Sequence, residues 1–285
     1  MSIQEGVQHA AEEAAQSGGH GEAGGQLLIE HVTDSNVWHF IKGFEIHLPE
    51  IHLFGIDLSI SLHVIMMWIA AALIFLFFWR MAVALRSEHA HVAKGPFALM
   101  EMLVLFVRDE IAIKTMGEKL GRKMAPLMLT FFFFILICNL LGLIPFMATA
   151  TGNINVTAAL AITAFVVVQA QGIRHNGLLG YVKSFIPGGV PVFLVPIIFP
   201  VEVLSQFTRH FALCMRLFAN MIAGHVVIIA LITMIFIFGT VLVSPISVGL
   251  SLFIYLLEIL VAFIQAYIFT MLASLFIGIA AHPEH

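Results

Sequence analysis

Between Pro200 and Phe238 the chain is apolar and helical in pattern, yet that stretch carries Glu202, Gln206, Arg209, His210, Arg216, Asn220 and His225. The stretch 248–280 adds Tyr255, Glu258, Gln265 and Tyr267. A charged side chain at the centre of a bilayer costs about 2.5–3.5 kcal/mol on insertion scales, so ionisable groups there mark ion paths and proton relays by default. Arg216 stands out. Its guanidinium stays protonated in proteins, and no Asp or Glu stands near it in the sequence. A buried cation of that kind needs a carboxylate, which points to an acid on another subunit.

Spacing sorts these residues into faces. At about 100° per residue and with Arg216 at zero, Arg209 falls near 20°, Glu202 and Asn220 near 40°, and Ser205 and Ala223 near −20°. Ala212 and Ala219 flank them, so polar groups alternate with small residues along one stripe, the composition of a close helix contact. His225 falls on the opposite face, and Glu258 and Gln265, seven residues apart, share a face of the last helix. If the chain folds back at the Gly and Pro residues of 239–245, His225 lies beside Glu258 and Arg216 beside Gln265, because both pairs are centred near residue 241. A His–Glu proton-relay pair and an Arg–Gln pair at adjacent levels are therefore expected. Structural roles compete with this reading: Arg209 and His210 also suit snorkelling to the surface, and Glu202 an interfacial cap. His225 alone suits a satisfied core histidine, but the facing Glu258 favours the relay.

The elements that must hold these groups follow from composition. The 285 residues are 60% hydrophobic and 11% charged, where soluble domains carry about a quarter charged residues; the bilayer is the solvent. A span needs roughly 20 apolar residues. Residues 62–79, 126–147 and 154–172 each supply one. Residues 96–118 have too short an apolar core to cross and read as an amphipathic helix on the cytoplasmic interface. Gly, Pro and Lys183 mark a loop over 173–189. At 1.5 Å per residue, 200–238 would reach about 58 Å and 248–280 about 50 Å. Against a core about 30 Å thick, such helices tilt steeply. The expected fold is all-α: five membrane-embedded helices plus one interfacial helix, the last two long, strongly tilted and antiparallel.

Eight of the 13 Lys and Arg residues lie between Arg80 and Lys123, whereas nine of the 17 acids lie in the first 57 residues. Cationic loops stay in the cytoplasm, so the N-terminus is expected outside and the C-terminus inside. Residues 1–26 have neither the basic n-region nor the apolar h-region of a signal peptide. Residues 1–38 are expected to be a disordered, acidic, extracytoplasmic tail, and 39–285 a single membrane domain. Cys138 and Cys214 sit in apolar stretches and imply no disulfide framework. The histidines lack metal-ligand spacing, and no phosphate-cradling Gly loop or nucleophile motif is present. Neither metal nor cofactor is expected, nor is nucleic acid a partner.

The strings EVLSQFTRHFALCMRLFANMIAGH (202–225) and LLEILVAFIQAYIFTML (256–272) resemble the paired signature of subunit a of the F-type ATP synthases, the ATPase A chain family. NLLGLIPF (139–146) and NINVTAALA (153–161) are similar to that family's hairpin motifs, and the likeness covers roughly residues 40–282. The resemblance implies that Arg216 is the arginine facing a rotating ring of small hairpin subunits, the c-ring, whose carboxylates are loaded and unloaded through two offset half-channels. It assigns His225, Glu258, Asn220 and Gln265 to the outer half-channel, with His and Glu at two positions where the family trades them. Glu202, Ser205, Gln206 and Arg209 then border the inner one. The implied setting is a bacterial plasma membrane, with peripheral-stalk b subunits as further partners and ATP chemistry elsewhere in the complex. Another proton pump or a secondary ion transporter is the rival reading; the absence of a visible internal repeat weighs against the latter. A haem-binding subunit would need axial histidines on facing helices, whereas His210 and His225 share one.

Overall fold

The computed structural model describes residues 37–41, 44–47, 52–53, 56–57, 61–85, 96–144, 149–186, 191–238 and 244–281. The tail expected over 1–38 lies outside the described residues up to position 36, as does most of the expected turn at 239–245. Two short antiparallel hairpins come first: β1 (Val37–Ile41) with β2 (Phe44–His47), and β3 (His52–Leu53) with β4 (Ile56–Asp57). Most of the rest of the described chain is helical: α1 (Leu62–Leu85), α2 (Pro96–Leu105), α3 (Lys114–Met116), α4 (Glu118–Gly142), α5 (Ile154–Ser184), α6 (Val195–Phe238) and α7 (Ser244–Ala281). Among the described residues, five of these, α1 and α4–α7, are long and apolar enough to cross a membrane.

Several helices outrun the apolar windows that announced them. α4 begins at Glu118, upstream of Pro126, and an ion pair between Glu118 and Arg122 (2.9 Å) caps that extension. α5 continues past residue 172 to Ser184, so part of the loop expected over 173–189 is helical. Hydropathy locates the part of a helix that sits in hydrocarbon; the backbone goes on bonding to itself where polar side chains reach water. The direction of α5 changes at Gly177, whose φ of 69° lies in the left-handed region that glycine occupies without a Cβ penalty. Beyond the kink the Tyr181 ring lies against Gly172, where a Cβ would strike it. Its hydroxyl donates to Gln169 Oε1 at 2.6 Å.

The segment read as a simple amphipathic helix holds a surprise. Between α2 and α3, Phe106–Ile113 is a π-helix, a wide-turn geometry that occurs mostly as single-turn bulges within α-helices, frequently at functional sites. It buries Val107, Ile111 and Ala112 while Arg108 and Asp109 pair at 2.7 Å and Glu110 pairs with Lys114. Its C-terminal end docks on α7: the hydroxyls of Thr115 and Ser274 meet, and Thr115 also donates to the Ile111 carbonyl at 2.8 Å. Gly278 leaves room for the Thr115 carbonyl, which a Cβ there would strike.

Contacts gather the helices into two units. One holds the described residues up to Ala70 with Cys138–Asn153 and Phe218–Ala262; the other holds Ala71–Ile137, Ile154–Leu217 and Phe263 onward. The core of the second is aromatic and closely packed, with Phe78 on Phe133 and Phe131 on Phe269 in edge-to-face contacts of 5.1 and 5.6 Å. At such spacings aromatic rings gain about 0.5–1.5 kcal/mol beyond area burial. In the first, the buried Asn139 accepts a 2.6 Å hydrogen bond from Thr151, pinning the turn at 150–152 to the end of α4.

Candidate functional site

In the first unit the residues gather around His225. Its Nδ1 lies 3.8 Å from Glu258 Oε1, an approach that the absence of a side chain at Gly224 makes possible. A Cβ at Gly224 would occupy the space of the Glu258 carboxylate. Glu258 is 8% exposed, and neither of its carboxylate oxygens accepts a hydrogen bond among the described residues. Burial without a hydrogen bond makes an ionised carboxylate costly in that position. His225 is held on all sides: Nδ1 also lies 3.1 Å from the Met221 carbonyl, and Nε2 lies 2.9 Å from the Gly142 carbonyl and 2.8 Å from Thr149 Oγ1. Tyr255, one turn before Glu258 on α7, donates its hydroxyl to the Leu143 carbonyl at 3.1 Å and ties down the end of α4 next to Gly142.

In the second unit Glu202 and Arg209, two turns apart on α6, pair at 3.6 Å with about a third of each side chain exposed. They border a cavity of about 200 Å³ together with Gln206 and, from α5 and α7, Tyr181, Ser184 and Phe276. The Arg209 guanidinium sits 5.8 Å from the centre of the Phe276 ring, within cation–π range. His210 turns inward. It is 4% exposed, bonds the Gln206 carbonyl through Nδ1 at 2.8 Å, and packs between Phe165 and Phe276. The snorkelling role considered for His210 does not fit a buried ring; this histidine packs among aromatic side chains behind Phe276.

Arg216 lies one further two-turn step along α6 and is exposed, as are Ala212, Ala219, Asn220 and Ala223. Among the described residues it forms no ion pair and no hydrogen bond. The adjacency expected of Arg216 and Gln265 is therefore not a bonded one: Gln265 is 3% exposed and engaged elsewhere, as is Asn220. Ser205 is half-buried on the same side as Glu202 and Gln206. Within the second unit His210 of α6 meets Phe276 of α7, and within the first His225 of α6 meets Glu258 of α7.

The sequence brought His225 and Glu258 together but gave no role to Thr149, Gly142 or Tyr255. Thr149 stands 76 positions from His225, and no local periodicity reports such a contact; Tyr255 was visible only as one more polar group in an apolar helix.

The model of the ATP synthase A chain family matches residues 64–278. Three relatives illustrate the similarity. ATP synthase subunit a of Chloroherpeton thalassium is 50% identical over 259 residues, covering 90% of this chain and 77% of that protein. Its counterpart in Myxococcus xanthus is 52% identical over 233 residues, covering 81% and 75%. ATP synthase subunit a 2 of Prosthecochloris aestuarii is 45% identical over 280 residues, covering 97% and 86%.

Proposed function

The chain belongs to the ATP synthase A chain family, and from that premise we propose that Arg216 separates two aqueous half-channels through which protons reach and leave carboxylates on a rotating ring of small hairpin subunits. The chain is a multi-pass membrane protein and a subunit of the proton-transporting ATP synthase. The observation that carries the proposed mechanism is Arg216 itself: a permanent cation, exposed between alanines on an apolar helix face, with no acid of its own chain among the described residues.

The mechanism follows from charge. A ring carboxylate faces lipid only when protonated, since the ionised form is costly there. Meeting Arg216, it ionises, because the guanidinium stabilises the anion. The same cation repels any other cation attempting to pass directly between the half-channels. His225 and Glu258 serve the outer one, with Asn220 and Gln265. Glu202, Ser205, Gln206 and Arg209 line the inner one, whose vestibule is the cavity bordered by Tyr181 and Phe276. A proton entering outside rides the ring before leaving inside, and the membrane potential contributes about 2.3 kcal/mol per charge per 100 mV. The N-terminus lies outside and the C-terminus in the cytoplasm of a bacterial plasma membrane, with b subunits of the peripheral stalk as further neighbours.

Purification in mild detergent tests the partnership, with single cysteines at Ala212 and Ala219 offered to crosslinkers. The expected products join this chain to a small hairpin protein at both positions. Recovery of a chain that travels alone and transports protons alone would end the reading.

A further inference from the structure

The two nitrogens of His225 meet different kinds of neighbour. Around Nδ1 are the Met221 carbonyl at 3.1 Å and Glu258 Oε1 at 3.8 Å; around Nε2 are the Gly142 carbonyl at 2.9 Å and Thr149 Oγ1 at 2.8 Å. A carbonyl oxygen only accepts, whereas a hydroxyl both donates and accepts. Neither backbone carbonyl, therefore, can give a proton to the ring or satisfy a bare ring nitrogen. Two neighbours can exchange a proton with it: Glu258 on one side and Thr149 on the other. Glu258 is also the one charged or titratable side chain that the described structure brings against His225.

We propose, on the reading of the site given above, that the Thr149 hydroxyl is the second proton-exchange partner of His225, serving the ring nitrogen opposite Glu258. When Nδ1 carries the hydrogen bonded to Met221 and Nε2 is bare, Thr149 donates to Nε2. Protonation proceeds as the Thr149 O–H bond breaks and the Nε2–H bond forms, while the threonine oxygen takes a proton from a hydronium ion on its outer side, which becomes water. The net change is one proton from hydronium to the ring. The renewed hydroxyl then rotates and accepts from Nε2–H, alongside the Gly142 carbonyl. Thr149 thus satisfies both charge states of a half-buried ring, which a carbonyl cannot do.

The surroundings are built for this contact. Thr149 is 8% exposed, and its side chain fills the space a Cβ on Gly142 would need. The missing side chain at Gly142 therefore admits both the hydroxyl and the carbonyl to one ring nitrogen. Tyr255 holds the adjacent Leu143 carbonyl, so the end of α4 is tied to the helix that carries Glu258.

The test uses membrane vesicles containing the whole complex, scored for ATP-driven proton uptake per unit of ATP hydrolysis over a range of pH. Thr149→Val keeps the shape and removes the hydroxyl; Thr149→Ala covers the case in which valine prevents assembly. Both are expected to slow uptake about tenfold, the scale of one lost hydrogen-bonding partner in a buried site, and to displace the pH profile. Thr149→Ser restores rate and profile together. Wild-type uptake and profile in the Val and Ala variants, or a Ser variant no better than Val, overturns the proposal. Arg216→Ala and Glu258→Gln run beside them: if these too pump normally, the proposed function itself falls, whereas their failure beside a normal Thr149→Val removes only the role given to Thr149.

Discussion

Arg209 holds Glu202 at 3.6 Å, so the one acid on the stripe shared with Arg216 is already taken. Seven residues further on, Arg216 repeats the spacing of the pair and lacks its acid. A helix that pairs one arginine internally and presents the next one bare separates two uses of the same side chain. The first borders a cavity, and the second, on the proposed mechanism, meets a carboxylate from outside the chain.

On the proposed mechanism, replacing Arg216 with alanine removes the barrier and the anion-stabilising charge together. ATP-driven proton uptake in vesicles is expected to fall to background, while passive proton leak persists or rises. Arg216→Lys is expected to rescue little, since a compact ammonium does not reproduce the guanidinium fork. Uptake above a few per cent of wild type in the alanine variant refutes the role.

His225 and Glu258 form one titratable pair across 3.8 Å. His225→Gln and Glu258→Gln are each expected to slow pumping by roughly tenfold or more, in the range of a lost acid–base group. The exchanged variant His225→Glu with Glu258→His keeps one acid and one base in the same gap. It should pump better than either single variant, and proton uptake measured against assembled complex decides it.

Glu202→Gln is expected to separate transport from stability. A pair about one-third exposed contributes at most about 1 kcal/mol, so thermal melting of the purified protein should move little. Proton release on the cavity side should slow several-fold. A large drop in melting temperature with normal pumping would reverse the assignment.

On the segment between α2 and α3, Asp109 lies against Arg108, whose hydrogen bonds hold the carboxyl below its ordinary range. A depressed carboxylate stabilises the fold above the unfolded value, near pH 4, and that contribution fades as pH falls through the lower folded value. Asp109→Asn should flatten the acid limb of a melting-temperature profile below about pH 4 and leave the neutral region nearly unchanged. An acid limb identical to wild type counts against the pair.

Gly278→Leu would drive a side chain into the Thr115 carbonyl. Overpacking of this kind costs about 1–3 kcal/mol, so the variant should melt earlier and assemble poorly, whereas Ser274→Ala, which trims one hydroxyl, should do neither.

Much of the helical frame was legible because the membrane imposes it: twenty apolar residues have few alternatives in hydrocarbon. The meeting of His225 with Glu258 was legible for a related reason, since an antiparallel pair with one turn leaves a single register to guess. Helix ends were harder to read. Glu118–Arg122 and the stretch from Arg174 to Ser184 lie where water relieves the hydropathy signal but does not unwind the backbone. The π-helix at 106–113 left no mark because its residues read like any amphipathic helix. Thr149 was hidden most completely: its partner comes from a helix far along the chain, and a lone threonine near a span's end looks like a loop residue.

The alanines around Arg216 bear on movement as much as on distance. Methyl groups offer a neighbour no hydrogen bond to break, and apolar contact has no preferred direction. On the proposed mechanism, the alanine surface beside Arg216 yields to sliding and serves as a bearing. If the proposed ring turns against it, a larger polar side chain at Ala219 would act as a brake, catching each subunit at the same angle.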